Sequence, residues 1–266
     1  MDIFSSINYS FTTAATGGFA THNDYSYLTP VVQYIVTFFC FISGVNFTML
    51  YITVSQRKLS TLLKSAECRF YLLIVLLFSG FIAFELMWKN GYELEPAIRS
   101  SLFHVVSFIT TTGLLADVCM FFGACSGSTS GGFKCIRCVM LLNIIKNEFR
   151  QMLHPNAVLP MRVDGTNVPS SKRVTLLAFL STYLILCLFC SFSMIAMGID
   201  NTNAITITLS ALGNVGPTLG TEIGPTMSWS ELPAAAKWIC SVLMLIGRLE
   251  IFSVLVIFTP QFWQEN

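Results

Sequence analysis

Ile109-Thr110-Thr111-Thr112-Gly113 is a short polar run that follows the apolar segment Leu102 to Phe108, and its reading decides the fold. Consecutive β-branched threonines ending on glycine are poor material for the interior of a membrane helix, because β-branching stiffens the side chains and glycine destabilises the helix. They suit an extended strand that points backbone carbonyls at something. In a membrane, irregular backbone is tolerated only where protein buries it or where it lines a water-filled cavity, and rings of carbonyls are how cation pores replace an ion's water shell. The run is therefore a candidate ion-selectivity segment.

Its surroundings support a membrane setting. Of 266 residues, 54% are hydrophobic and 11% charged, with mean hydropathy +0.68, where an ordinary soluble domain has roughly 25% charged residues. Such a chain is a polytopic membrane protein. The net charge of +1 offers no basic face for nucleic acid. Met1 to Ser6 has no basic n-region and no long apolar stretch, so no cleavable signal peptide is expected and insertion relies on internal helices.

The nine cysteines sit mostly inside apolar runs, where cysteine behaves as a small hydrophobe. Two pairs, Cys135/Cys138 and Cys187/Cys190, have C-x-x-C spacing and suggest a membrane thiol oxidoreductase as an alternative, although no thioredoxin-like βαβ pattern accompanies them. His22, His104 and His154 are too scattered to propose a metal or catalytic site, so neither an enzyme nor a cofactor is expected.

Apolar runs of about 20 residues can span a bilayer. Val31 to Val54, Phe70 to Trp88, Val174 to Met197 and Trp238 to Thr259 are predicted as spanning helices, while Phe133 to Ile145 is too short to cross alone. The connections 55–69 and 146–173 carry Arg57, Lys58, Lys64 and Arg69, and Lys146, Arg150, Arg162, Lys172 and Arg173; the positive-inside rule puts both in the cytoplasm. Lys89 to Arg99 and the connection near Asp200 then lie outside, and the C-terminus inside.

Each outward helix is followed by a stretch too short and polar to span twice, and each such stretch holds a glycine-centred run. Thr12 to Phe19 precedes the first helix, Thr110 to Gly113 follows the second, and Ser210 to Pro217 follows the fourth. Aligned on Gly17, Gly113 and Gly216, the spacings are 96 and 103 residues, which suggests repeated pore units. Half-helices such as Pro96 to Phe108 and Asn203 to Leu212 would re-enter from outside. Their C-terminal ends would present partial negative charge, which suits a cation.

The motifs FTTAATGGFAT (11–21), ITTTGL (109–114), GACSGSTSGGFK (123–134), HPNAV (154–158), LGNVGPTL (212–219) and GRLEIFSVLVIFTPQFW (247–263) together resemble the Trk/Ktr/HKT superfamily of potassium transporters, specifically its bacterial TrkH/KtrB membrane subunit. The potassium-binding subunit of the Kdp pump shares the architecture, but GRLEIF argues against it. The resemblance implies an all-α integral membrane fold of helix, pore half-helix, filter strand and helix units around a potassium-channel-like pore. It implies K⁺ uptake across the cytoplasmic membrane, with coupling to Na⁺ or H⁺ left open, a homodimer, and a nucleotide-binding gating ring of the RCK type (TrkA/KtrA-like) on the cytoplasmic side.

By that resemblance the filter residues are Thr16, Gly17, Thr111, Thr112, Gly113, Asn214, Val215 and Gly216, from the second, third and fourth of four pore units. The gate is an intramembrane loop with Gly123, Ser126, Gly127, Ser128, Thr129, Gly131 and Gly132, with Lys134 near its inner end or snorkelling to the interface. A P-loop reading fails, because Gly132-Phe133-Lys134-Cys135 breaks the Walker order. Arg248 lies about midway along Trp238 to Thr259, near mid-bilayer, where a charge is expensive. It either pairs with a buried acid elsewhere or, as the resemblance implies, faces the pore as a barrier to cations.

The units divide as 1–54 (strand and second helix of unit two), 70–145 (unit three) and 174–266 (unit four), joined by cytoplasmic loops at 55–69 and 146–173. The first unit is expected to be absent and the second to lack the helix before its strand. From filter glycine to intrahelical glycine there are 27 residues in unit two (to Gly44), 31 in unit four (to Gly247) and ten in unit three (to Gly123). Ten residues of helix cover about 15 Å, so unit three is expected to keep only the stub Val118 to Phe122. A shortened, non-transporting remnant is thus a further alternative.

Overall fold

The computed structural model describes residues 2–21, 28–57, 60–113, 124–128, 133–154, 160–218, 229–249 and 251–264. In chain order the elements are α1 (Ile3–Ala15), α2 (Pro30–Ser43), α3 (Phe47–Gln56), α4 (Ser60–Lys64), α5 (Ala66–Asn90), α6 (Leu94–Ile109), α7 (Cys135–Leu153), β1 (Arg162–Val163), β2 (Thr166–Asn167), α8 (Ser170–Ala196), α9 (Asn201–Gly213), α10 (Ala234–Arg248) and α11 (Ile251–Leu255). The described chain is helical apart from the small antiparallel hairpin β1–β2.

Two helices, α5 and α8, are long and apolar enough to cross a membrane unbroken, with mean hydropathy 2.3 and 2.2. Both expose large apolar side chains, among them Leu73, Leu76, Phe81 and Phe84 on α5 and Ile185, Leu188, Phe189 and Phe192 on α8. Apolar surface of that extent is stable against lipid, not against water.

The other two predicted spans are not straight. The run 31–54 is α2 and α3, meeting at 100°, and the run 238–259 is α10 followed by residues 251–258, meeting at 113°. Hydropathy carries no direction, so a bent apolar run and a straight one look alike in sequence. Local chemistry shows why the first breaks: Gly44 ends α2, and Asn46 starts α3 by accepting hydrogen bonds from Thr48 N (2.9 Å) and Met49 N (3.2 Å). Gly44 also sits where a Cβ would press on the Tyr71 hydroxyl and the Thr110 methyl.

A second correction concerns α1. The run Thr12 to Ala15, expected as strand, is the end of a helix that begins at Ile3, capped by Asp2 through Ser5 N at 3.1 Å. A helix therefore does precede this first glycine run.

Packing divides into two cores. One gathers Tyr9, Val36, Cys40, Tyr71, Phe103 and Ile109 from α1, α2, α5 and α6; the other gathers Phe179, Met194, Ile207, Leu212, Leu243 and Ile251 from α8 to α11. The two basic connections meet at one end: the hairpin residue Asp164 accepts from Ala66 N at 2.6 Å, capping α5. At the opposite end Tyr34 and Arg99 both bind Glu95, and Arg99 also reaches Gln33 at 2.6 Å. The Arg99 guanidinium holds the Glu95 carboxyl below its ordinary range. α2 and α6 thus start side by side at that end.

Candidate functional site

The half-helices α1, α6 and α9 end in the same way. Thr16, Thr111 and Asn214 are left-handed, with φ of 51°, 56° and 55°. The next residue then donates its N–H to the carbonyl five positions back: Gly17 to Thr12 at 2.9 Å, Thr112 to Ser107 at 2.8 Å, Val215 to Ser210 at 2.9 Å. This is the Schellman closure of a helix C-terminus. A glycine of positive φ follows each time: Gly18 at 75°, Gly113 at 72°, Gly216 at 102°. The glycine-centred segments thus begin at the left-handed residue, and Thr110 and Ser210 to Gly213 belong to helix ends and not to strands.

The repeat fixes a register that differs by one residue from the alignment on Gly17. Gly18 is the counterpart of Gly113 and Gly216, while Gly17 is the counterpart of Thr112 and Val215. Adjacent glycines made both registers fit in sequence. The hydroxyl residues Thr12, Ser107 and Ser210, all buried, escaped notice although each precedes its glycine by six positions. That constant hydroxyl-to-glycine spacing was the available signal. Ser210 uses its side chain as well, with Oγ accepting from Gly216 N at 3.0 Å.

Threonine in the left-handed region is a genuine outlier for a β-branched residue. Such positions cost on the order of 1–3 kcal/mol each and persist only where the surroundings over-determine them. The surroundings here are dense: Thr110 Oγ1 bonds Val106 O (2.7 Å) and Thr112 Oγ1 (2.8 Å), and Thr112 Oγ1 reaches Cys40 Sγ on α2 at 3.7 Å. Asn214 Nδ2 donates to Met244 O on α10 at 3.1 Å.

Neighbouring segments lie head to tail. A Cβ on Gly18 would run into the Thr112 carbonyl oxygen, and a Cβ on Gly113 into the Val215 carbonyl oxygen. A Cβ on Gly216 would meet nothing within 4 Å among the described residues. Gly17 and Gly216 are exposed whereas Thr112 and Val215 are buried. Among the described residues, three segments therefore follow one another in an arc that runs from Gly17 and Gly18 past Thr112 and Gly113 to Val215 and Gly216. The C-terminal ends of three helices converge on that arc and add partial negative charge.

Of the residues expected to form a gate, Ser126, Gly127, Ser128 and Lys134 are described; Gly123, Thr129, Gly131 and Gly132 lie outside the described residues, as does the expected stub Val118 to Phe122. The segment 124–128 sits against the break between α2 and α3. Cys125 N donates to Gly44 O at 2.9 Å, and Phe47 N donates to Gly127 O at 3.3 Å. Phe133, fully buried, packs on Phe179, which packs edge-on to Phe252 just past the α10 break.

Arg248 is the last residue of α10, at the 113° change of direction, and not in the middle of a straight span. It is exposed. Its neighbour Gly247 packs so closely on the end of α9 that a Cβ would collide with the Leu212 carbonyl and crowd the Asn214 amide. The break therefore brings Arg248 next to the start of the segment at Asn214. Cys135 and Cys138 lie within α7 and Cys187 and Cys190 within α8, and none of the four forms a disulfide.

Comparison with known proteins agrees with this architecture. The profile of the TrkH family, described as Cation transport protein, matches residues 101–265. The Trk system potassium uptake protein TrkH of Halomonas elongata is 33% identical over 281 aligned positions, covering all of this chain and 58% of that protein. TrkH of Escherichia coli K12 is 32% identical over 282 positions with the same coverage. The crystal structure of the potassium transporter TrkH from Vibrio parahaemolyticus superposes with TM-score 0.92 at 31% identity, covering 99% of this chain and 60% of that one. The chain spans about 58% of the length of these curated relatives. With its helical architecture and more than half its length matched, the chain belongs to the TrkH family of cation transport proteins.

Proposed function

We propose that this chain supplies three of four pore segments of a K⁺-translocating subunit in the cytoplasmic membrane. The observation that carries this reading is the head-to-tail approach of Gly18 to the Thr112 carbonyl and Gly113 to the Val215 carbonyl. Carbonyls arranged in an arc can replace the water shell of a bare cation. In this reading Thr16, Gly17, Thr111, Thr112, Asn214 and Val215 offer the carbonyls, Gly18 and Gly113 permit their close approach, and Gly216 holds the matching position in the third segment. Thr16, Thr111 and Asn214 turn the chain out of each helix, so that the carbonyls following them line the path.

Gating falls to two features near the bends. Ser126, Gly127 and Ser128 lie against the α2–α3 break, and Arg248 lies at the α10 break beside the start of the fourth-unit segment. An arginine there opposes cation passage by like charge. Pairing of two copies and docking of a nucleotide-binding gating ring at the end that carries Arg57, Lys64, Arg69 and the β1–β2 hairpin complete the proposal. Na⁺ or H⁺ coupling is a further property to be read from flux assays. The test is rubidium uptake in potassium-uptake-deficient cells that express the chain, alone and with a polypeptide supplying the fourth pore segment that this reading calls for. Uptake in either setting supports the reading, and none in both overturns it.

A second reading is a non-transporting subunit that keeps the packing without a closed filter. The same uptake experiment separates the two.

A further inference from the structure

We propose that Glu67 is a positioning residue that clamps the segment 124–128 to the start of α7, so that this stretch of the candidate gate moves only when the clamp releases. A single carboxylate oxygen makes the joint. Glu67 Oε1 accepts from Ser126 N at 2.5 Å and from Ile136 N at 3.2 Å. The two donors stand ten positions apart in sequence and are brought to one acceptor on α5.

Glu67 is only 8% exposed. A carboxylate withdrawn from water is costly unless hydrogen bonds and opposite charge compensate it. Here burial is the largest effect on Glu67; two amides and the nearby Lys134 ammonium offset part of it, while Asp164 acts against them. α7 otherwise starts without a side-chain cap, since its N-cap Lys134 offers none. Cys135 N donates to Ala124 O at 3.0 Å, which draws the same two stretches together a second time.

The joint also connects outward. Asp164 of the hairpin holds Ala66 N, the residue immediately before Glu67. On its other side the 124–128 segment is tied to Gly44 and Phe47 at the α2–α3 break. A displacement of the hairpin at the basic end therefore reaches the candidate gate through one peptide unit and one carboxylate. The inference rests on the proposed gate for its consequence in transport. The clamp itself is read without any ion flux, so the two can fail separately.

The test is amide hydrogen exchange on the full chain in a bilayer, comparing wild type with Glu67→Ala, Glu67→Asp and Glu67→Gln. Hydrogen bonds to a charged acceptor are worth about tenfold or more in an opening equilibrium. Exchange at Ser126 and Ile136 should therefore rise about tenfold or more in Glu67→Ala, while the α9 amides stay as in wild type. Glu67→Gln, which keeps an oxygen at the same reach, should restore most of the protection. If Glu67→Ala does not accumulate, Glu67→Asp, whose shorter carboxylate cannot serve both donors, takes its place with the same expectation. Wild-type protection at both amides in whichever of these variants is measured overturns the proposal, as does loosening that spreads equally to α9.

Discussion

The Cα of Gly113 lies against the carbonyl oxygen of Val215, so close that no side chain fits between them. Gly113 also has φ of 72°, a conformation an L-residue adopts only under strain. Gly113→Ala therefore faces two costs at once. It should destabilise the protein by roughly 2–4 kcal/mol, from left-handed strain together with overpacking. Denaturant unfolding in detergent micelles checks this, and an unchanged midpoint would mean that the third and fourth segments do not touch as described.

The two adjacent glycines of the first segment should respond differently to the same change. Gly18→Ala meets the Thr112 carbonyl at positive φ, whereas a Cβ on Gly17 meets only Phe19 and Thr12 side-chain atoms at 3.5 Å and beyond. Gly18→Ala should cost on the order of 2 kcal/mol or more, and Gly17→Ala less than about 1 kcal/mol. Equal effects in thermal unfolding would return the register to an alignment on Gly17.

Arg248 ends α10 beside Gly247, whose backbone touches the end of α9. Removing its charge with Arg248→Ala should raise cation flux several-fold in a transport-competent background, since each 1.4 kcal/mol taken off a barrier is about tenfold in rate. Arg248→Lys, which keeps the charge, should stay near wild type. Flux unchanged by Arg248→Ala would remove the barrier role.

Asp164 caps a 25-residue helix from a hairpin 98 positions away. Asp164→Ala should lower stability by about 1 kcal/mol, the usual worth of an N-cap side chain, and should increase proteolytic cutting of the connection 160–169. Protease sensitivity equal to wild type would show that the hairpin is held by other contacts.

The glycine-centred runs were legible in the sequence because their signal is local: a polar, β-branched or glycine-rich break inside apolar chain stands out wherever it occurs. The helical character of the chain and the basic connections were legible for the same reason. What escaped depends on direction or on distant partners. The bends at Gly44 and after Arg248 turn apolar runs through 100° and 113° without altering their hydropathy. α1 is hard to see in sequence because Thr12, Thr13 and Thr16 and the glycines Gly17 and Gly18 crowd its C-terminal end, and propensity counts these residues against a helix. Glu67 gave no sign, since its partners lie 59 and 69 residues away. The register of the first segment is not legible because Gly17 and Gly18 are chemically identical, and only folded geometry tells them apart: the closure of Gly17 onto Thr12, and the positive φ of Gly18 with its approach to the Thr112 carbonyl.

The central claim is that the carbonyl arc built on Thr112 and Val215 conducts K⁺. It is tested most directly by rubidium uptake in potassium-uptake-deficient cells expressing the wild-type chain or Gly113→Ala, each alone and with a polypeptide supplying the fourth pore segment that the proposed function calls for. The account expects uptake by wild type in at least one setting and its loss in Gly113→Ala at equal membrane abundance. Absence of uptake by wild type in both settings, or uptake by Gly113→Ala equal to wild type, would contradict it.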